Sequence, residues 1–506
     1  MRRFVLTLVL FVVFFNFSNA QFSMTFNDTL KPFNTGGCDL LSVVEDGNYY
    51  YVLGVHYSSA GRNAFIMKTD DMGTVLLKKE YSRSQCEFYI YTENSLTKND
   101  SILVFCSQMD DKSGLYTKSS AVLYAVDKQS LDTVWTKVYE HPDTAIAQTS
   151  NFVYSSLTSV KTTPDGGYIL TGSYNKDCVA GVLRSFLMKT DGYGNVEWRQ
   201  VDGQNCTFSD VEIAADSGYY VPGIDKYGNM IKLMKYGKSG SYLSKTDIAT
   251  LGGGRFPVIA PYGNDYAIVS YGYLFDTVNL KSALAVMKIN LNTGTILWSK
   301  KYYAFGTSDS ILPIGTIGLE TSAAGDIIVS NTTLDYHNIL GTNSHIYNAV
   351  VLKLNSNGDS LWCKSYDYDP TPNNSVLNDL ILSADGGFLG VGTFDDPNST
   401  GTAWLFKADA NGVVGFESEK TKAKSVKYKV YPNPASNRAD LLFDSSLKED
   451  AVLKIYNVAG ELVKQKQLKK GLMKISMNLQ DFMPGLYFYT VSSQGKDIAT
   501  GKLIVE

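Results

Sequence analysis

A phrase of roughly fifty residues recurs along this chain, and self-similarity at that period marks small units stacked or arranged radially rather than one continuous core. The fullest copy runs Thr163-Pro164-Asp165-Gly166-Gly167-Tyr168-Ile169-Leu170, then Phe186-Leu187-Met188-Lys189-Thr190-Asp191, then Gly194-Asn195-Val196-Glu197-Trp198. It returns as Ser383-Ala384-Asp385-Gly386-Gly387-Phe388-Leu389 followed by Trp404-Leu405-Phe406-Lys407-Ala408-Asp409. Fainter copies contain Asp46-Gly47 and Gly325-Asp326. Each copy reads as four strands. Asp-Gly pairs close the first hairpin, where positive φ is needed. A second tight turn, such as Asp191-Gly192-Tyr193-Gly194 or Asn292-Thr293-Gly294, joins strands three and four. The fourth strand carries Trp-x-Lys-x-Tyr at 135–139, 298–302 and 362–366. A period of two puts these three side chains on one sheet face, where rings and the lysine stem can cover the neighbouring unit.

The copies fall at 38–82, 86–140, 155–203, 206–247, 255–303, 311–367 and 375–418. The expected fold is therefore all-β, a seven-bladed β-propeller over residues 21–418. The fourth copy is the most degenerate and lacks the tryptophan. Phe22, Met24 and Phe26 repeat the fourth-strand spacing ahead of the first copy. Residues 22–28 are thus expected to join the last unit as its outer strand or beside it, removing an open sheet edge.

Two further segments stand outside the repeat. Arg2-Arg3, the apolar run Phe4–Phe17 and Ser18-Asn19-Ala20 describe a secretory signal peptide over 1–20, too short to span a bilayer. After Glu417 the composition changes: 419–425 is a polar, charged linker, and 426–506 alternates strands with Gly, Asn and Pro turns, as a small Ig-like β-sandwich does.

The repeated units resemble the tryptophan-bearing repeats of quinoprotein-type (PQQ-like) propellers, with Asp, a Gly turn and then Trp. Those dehydrogenases carry adjacent cysteines beside the quinone, and no two cysteines are adjacent here, so the resemblance implies the scaffold without a cofactor. Residues 426–506 resemble the type A C-terminal sorting domain of the type IX secretion system of the Bacteroidetes lineage. The matching positions are Pro432, Asn433, Pro434, Gly460, Gly485, Tyr487 and Lys502. That resemblance implies export through the periplasm and outer membrane to the cell surface or beyond, with the type IX machinery as partner.

The chemistry carried by the rest of the chain is sparse. With 46 Lys plus Arg against 50 Asp plus Glu, the net charge of −4 gives no footprint for nucleic acid or anionic membrane. The four histidines accompany no G-x-S-x-G elbow, His337 and His345 lack further ligands at zinc spacing, and no P-loop or calcium frame is present. No catalytic, metal or cofactor residue is assigned. A pair of carboxylates brought together in a propeller funnel remains open, because sequence spacing does not reveal it. Six cysteines suit an oxidising compartment. Their places beside inter-unit connections lead to expected pairs Cys86–Cys106 and Cys178–Cys206, with Cys38 and Cys363 unpaired with each other.

One face stands out. The connections between second and third strands are long, as at Asp110–Lys118, Asn175–Arg184, Tyr273–Lys281, Asp335–Tyr347 and Asp395–Gly401, and insertions gathered on one face mark a binding surface. It collects Tyr116, Tyr174, Tyr273, Phe275, Tyr336 and Tyr347. The expectation is an exported binding or adhesion module for a glycan or protein ligand, the alternative a glycan-degrading or other surface enzyme with its site in the funnel.

Overall fold

The computed structural model describes residues 25–30, 32–33, 36–59, 61–90, 94–142, 153–175, 183–203, 206–225, 230–249, 254–276, 281–303, 311–339, 342–367, 374–395, 401–414, 428–443, 446–457, 462–493 and 496–505. The segments 1–20 and 419–425 and Gly460 lie outside these. The described residues form strands and turns and no helix. None is therefore a helix able to cross a membrane. The chain divides into two compact units, Met1–Gly415 and Phe416–Glu506.

In the first unit the described residues form seven antiparallel sheets in propeller-like succession. Sheet 1 holds Gly37–Asp46, Tyr49–Ser58, Gly61–Asp70 and Val75–Tyr81. Sheet 2 holds Cys86–Tyr89 and Leu96–Lys98, both on Ile102–Asp111, followed by Lys118–Asp127 and Thr133–Tyr139. Sheet 3 holds Ser155–Thr162, Tyr168–Asn175, Leu183–Thr190 and Val196–Val201. In sheet 4 the first strand is broken into Cys206–Phe208 and Glu212–Ile213, ahead of Tyr219–Asp225, Met230–Tyr236 and Tyr242–Ala249. Sheet 5 holds Gly254–Tyr262, Tyr266–Asp276, Lys281–Asn290 and Ile296–Tyr303, and sheet 6 Ile311–Thr321, Ile327–Ile339, Thr342–Leu354 and Ser360–Tyr366. Sheet 7 holds Asn374–Leu382, Phe388–Asp395 and Thr402–Ala408, and its fourth strand is Phe26–Leu30 from the other end of the unit. That strand runs antiparallel to Thr402–Ala408, with Phe26 opposite Lys407 and Leu30 opposite Ala403. The indole of Trp404, fully buried, donates to Asn27 Oδ1 at 2.7 Å. The closure expected from the Phe22-Met24-Phe26 spacing is therefore present for residues 26–30.

The Trp-x-Lys-x-Tyr phrase explains how one sheet holds the next. Asp191 Oδ1 accepts from the amides of Tyr193 and Asn195, shaping a turn that leaves Gly194 at φ +76°. The Trp135 ring of the preceding sheet lies over Gly194 so closely that a Cβ there would stand 2.8 Å from it. Tyr139 Oη donates to Gly194 O at 3.0 Å, and Lys137 Nζ donates to Asn195 Oδ1 at 2.8 Å. The same clasp joins sheet 5 to sheet 6, through Trp298 over Gly358 and Tyr302 Oη to Gly358 O, and sheet 6 to sheet 7, through Trp362 over Gly412 and Tyr366 Oη to Gly412 O. Where a copy departs from the phrase, another group takes the place. Trp198 covers Gly240, Thr246 meets Gly294, Phe26 covers Gly73, and Tyr81 bonds the carbonyl of Leu131. Sheet 7 thus holds sheet 1 as each other sheet holds its successor.

The two halves of the repeated phrase are also coupled inside each sheet. The third-strand lysine reaches back to the aspartate of the first turn, as in Lys189–Asp165 at 3.1 Å, Lys235–Asp216 at 3.1 Å, Lys353–Asp326 at 2.9 Å and Lys407–Asp385 at 2.6 Å. Hydrophobic clusters fill the space between neighbouring sheets, as where Leu53, Ile66 and Tyr81 of sheet 1 meet Phe88, Phe105 and Tyr124 of sheet 2.

Two expectations are corrected. Cys86 and Cys106 are free thiols. Cys86 does not stand in a crossing but in a strand, opposite Asp111, while Cys106 lies five residues earlier on that same partner strand. Five residues of extended chain separate the two sites by about 16 Å, against the roughly 7 Å a disulfide tolerates. Cys178 lies outside the described residues, so the 178–206 pair is not placed. Secondly, Asp335–Tyr347 is no loop: strands two and three of sheet 6 run on to Ile339 and Thr342, with Tyr336 opposite His345. His56 and His141 are buried, His56 bonded to Glu80 at 2.9 Å and His141 to Asn175 at 3.1 Å.

The second unit has two antiparallel sheets. One holds Tyr428–Tyr431, Arg438–Phe443 and Lys474–Asn478, the other Leu462–Leu468, Ala451–Asn457, Gly485–Ser493 and Lys496–Val505. Leu441, Phe443, Ile475 and Met477 of the first share one core with Leu453, Ile455, Tyr489 and Leu503 of the second. Both sheets therefore bury their alternating apolar faces against each other.

The clasp makes a stability prediction. Gly194→Ala adds a methyl against Trp135 and forces a positive φ, whereas Gly166→Ala, at φ +84° with open space around it, meets the backbone cost alone. Gly166→Ala is expected to cost about 1 kcal/mol and Gly194→Ala about 1–3 kcal/mol beyond that, read from urea unfolding midpoints.

Candidate functional site

The first strands of all seven sheets contribute to one cavity of about 270 Å³ on the axis of the first unit. Its wall is set by residues such as Val43, Thr97, Lys161, Ile259, Glu320 and Leu380, which stand in the latter halves of these strands. Those ends run into the short first turns. The cavity thus lies toward the short-turn face, not toward the long connections.

Five ionisable side chains line it: Lys161 from sheet 3, Asp210 and Glu212 from sheet 4, Glu320 from sheet 6 and Asp379 from sheet 7. Their surroundings divide them into three kinds. Asp379 accepts from Ser42 Oγ at 2.9 Å and the Val43 amide at 3.0 Å, both in sheet 1, and from the Leu380 amide at 2.8 Å. Asp210 accepts from Asn94 Nδ2 and Ser159 Oγ at 3.1 Å each, from the Val211 amide at 2.8 Å and from the Ile259 amide of sheet 5 at 3.2 Å. These two carboxylates bridge neighbouring sheets where the inner strands change register. They satisfy backbone donors that a register change leaves without ladder partners. Lys161 and Glu212 form an ion pair at 2.5 Å. Glu320 has neither a hydrogen-bonded nor an ion-paired partner among the described residues, and its carboxyl faces the cavity.

The protonation states follow. Burial pushes the Glu320 carboxyl up to about 8, helped by Asp379, Glu212 and Asp210 and opposed by Lys161. Burial also raises Asp379, to about 6, against the three hydrogen bonds that hold it down. Asp210 is raised by burial and by Glu212, with Lys161 pulling the other way. Burial works against the Lys161 ammonium, but Glu212 and Asp210 overcome it and hold the charge more firmly than in water. Among the described residues no three His, Cys, Asp or Glu side chains are grouped so as to hold a metal ion.

The expected aromatic face is dispersed. Tyr116 is exposed, on the connection after Ile102–Asp111. Tyr174 is buried at 6%, against Phe186 and edge-on to His141, because its strand alternation turns it into the space between sheets 2 and 3. Tyr347 is half-buried in a strand. Tyr273, Phe275 and Tyr336 stand on strands, and their side chains lie outside the described residues. None of the five cavity residues was singled out in the sequence. A signal was present: Lys161, Glu212 and Glu320 each stand five residues before the positive-φ residue of the first turn, Gly166, Ser217 and Gly325. Aligned on that turn, three copies show a charged residue where sheets 1, 5 and 7 have Ser42, Val258 and Ile381.

In the second unit the expected motif positions converge. Asn433 Oδ1 accepts from the Ile504 amide at 2.8 Å and its Nδ2 donates to Lys502 O at 2.9 Å, fastening the Pro432-Asn433-Pro434 segment to the last strand. Gly485 pairs with Val505 and Tyr487 with Leu503, and Tyr487 Oη donates to Met483 O at 2.8 Å.

Residues 429–506 match the secretion system C-terminal sorting domain family. This tail marks the chain for type IX secretion, with the cell surface or exterior as its destination and the secretion machinery as a partner. No curated protein matches the sequence. Solved structures similar to it include a PL25 ulvan lyase, at 11% identity over 76% of this chain and 92% of that one, TM-score 0.45. A GH93 α-L-arabinofuranosidase of Fusarium graminearum has 13% identity over 77% and 99%, TM-score 0.40. A protein of unknown function from Bacteroides caccae has 12% identity over 66% and 94%, TM-score 0.35.

Glu320 couples folding to pH. Its carboxyl stays protonated in the folded chain up to about 8, whereas a free glutamate ionises near 4.5. The unfolded chain therefore gives up this proton first, and the associated stability is lost as pH rises through that window. The wild-type melting temperature is expected to fall between pH 6 and 9 by about 2–5 °C more than that of Glu320→Gln, measured by calorimetry.

Proposed function

We propose that the mature chain is an exported seven-bladed β-propeller, residues 21–418, joined through 419–425 to an Ig-like sorting domain at 426–506, and that it binds an extracellular ligand in its axial cavity without transforming it. A signal peptide at 1–20 takes it to the periplasm. The succession of seven clasped sheets supports the blade count. The observation that carries the non-catalytic reading is the commitment of the cavity carboxyls: Asp210 and Asp379 serve as bridges between sheets, and Glu212 is paired with Lys161. Hydrolysis by a carboxylate pair requires two groups at liberty, and among the described cavity carboxyls only Glu320 lacks a partner.

One observation favours the enzyme alternative. A carboxyl held protonated to about 8 is suited to act as a general acid, with Glu212 as the second carboxylate once released from Lys161. The purified protein incubated with a panel of extracellular polysaccharides separates the two. Retention of a glycan without new reducing ends or unsaturated products is the expected outcome. Turnover that Glu320→Gln abolishes would replace binding with catalysis.

The export reading has its own test. Removal of 426–506 is expected to leave a folded propeller, checked by its melting transition, that accumulates in the periplasm and does not reach the surface. Undiminished surface delivery in cell fractionation would make the second unit a permanent module rather than an address.

A further inference from the structure

We propose that the axial cavity and a second cavity between sheets 4 and 5 form one bent site for a small polar ligand carrying a primary ammonium group, an amino sugar or a short diamine. The proposal rests on the axial cavity being the ligand site.

The second cavity, of about 220 Å³, shares Glu212, Ile259 and Pro261 with the first. Each alone is smaller than the usual ligand pocket of roughly 300–1,000 Å³, and joined they enter that range. The opening has a local cause in the most degenerate copy of the repeat. The first strand of sheet 4 is broken, and only Glu212–Ile213 remains at the cavity end. The turn that follows is Ala214-Ala215-Asp216, where sheet 3 has Thr163-Pro164-Asp165. Sheets 6 and 7 have Ser322-Ala323 and Ser383-Ala384 there, so Ala214, which lacks a hydroxyl, is what distinguishes this turn. Tyr220 walls the gap, with its hydroxyl held on Leu291 O at 2.9 Å. Ala215 stands exposed at the mouth.

Charge selects the ligand. Four carboxyl side chains and a single ammonium line the axial cavity, and Glu212 stands where the two cavities meet. An anionic ligand would face carboxyls from sheets 4, 6 and 7. A neutral one would at most hydrogen-bond Glu320, which has no partner among the described residues, without favouring its ionised form. A cation would supply the missing partner, and would favour the ionised carboxylate that burial and the facing Asp379, Glu212 and Asp210 oppose. Lys161, already engaged by Glu212, balances only part of the negative charge.

Binding should therefore expel a proton from Glu320. Calorimetric titration of the full chain at pH 7, in two buffers of different ionisation enthalpy, reads this directly. Glucosamine and 1,5-diaminopentane are the probes, with N-acetylglucosamine as the uncharged control. Both amines are expected to bind at least tenfold more tightly than the control, with proton release that disappears in Glu320→Gln. Ala215→Trp, at the exposed mouth, should weaken both amines at least tenfold while leaving the melting temperature unchanged. Equal or tighter binding of N-acetylglucosamine, still sensitive to Ala215→Trp, would overturn the ammonium preference and leave the cavity as the ligand site. Amine binding insensitive to both substitutions would overturn the cavity itself. Failure of both amines to bind would overturn the proposal.

Discussion

The first unit depends on a ring laid over a glycine. Sheets of four strands bury little by themselves, and each has an edge that must be covered. The clasp answers both needs with one device: a tryptophan ring close over the chain of the next sheet, and a tyrosine hydroxyl on that glycine's carbonyl. The glycine is required twice over, since the turn places it at positive φ and the ring leaves no space for a Cβ. The lysine between the two aromatics adds a polar contact at the rim, as Lys300 does on Asp359. Such exposed ion pairs contribute little to stability, so position rather than strength is their contribution.

This arrangement explains which parts of the fold could be read in advance. Trp135 and Gly194 are 59 positions apart, yet each belongs to a local pattern that returns with the repeat, so the sheet, its turns and its clasp were all visible. The closing strand was visible for the same reason, because Phe26 sits on the spacing of the other fourth strands. The site was not. Glu320 and Lys161 line one cavity only because a ring brings sheets 6 and 3 to one axis. Nothing near either residue marks it as an axial neighbour of the other, short of aligning the copies on their first turns. Tyr174 misled for a different reason. It closes a strand just before a long connection, which suggested a loop face, but period-two alternation had already assigned it inward. Polar residues such as His337 and Ser344 likewise disguised a two-stranded extension as a loop.

Degeneracy in a repeat is commonly taken as drift. Here the least faithful copy, whose first strand is broken, contributes Asp210 and Glu212 to the axis and borders a second cavity beside it. The regular copies supply the frame together with Lys161, Glu320 and Asp379, and the irregular one adds Asp210 and Glu212. Asp210 illustrates the balance, for the same carboxylate that lines the cavity also holds sheets 3 and 5 to sheet 4 through Ser159 and Ile259.

The strand Phe26–Leu30 gives the ring a property that open repeat arrays lack. In a linear array the terminal copies have one neighbour each, and unfolding frays inward from them. Here the earliest strand completes the last sheet across an interval of almost four hundred residues, so no copy is terminal. That contact joins the most distant parts of the unit, and the entropy of closing so long a loop must be met before it forms. The seven sheets should consequently gain and lose their order together, with the short N-terminal strand acting as the latch on a closed hoop.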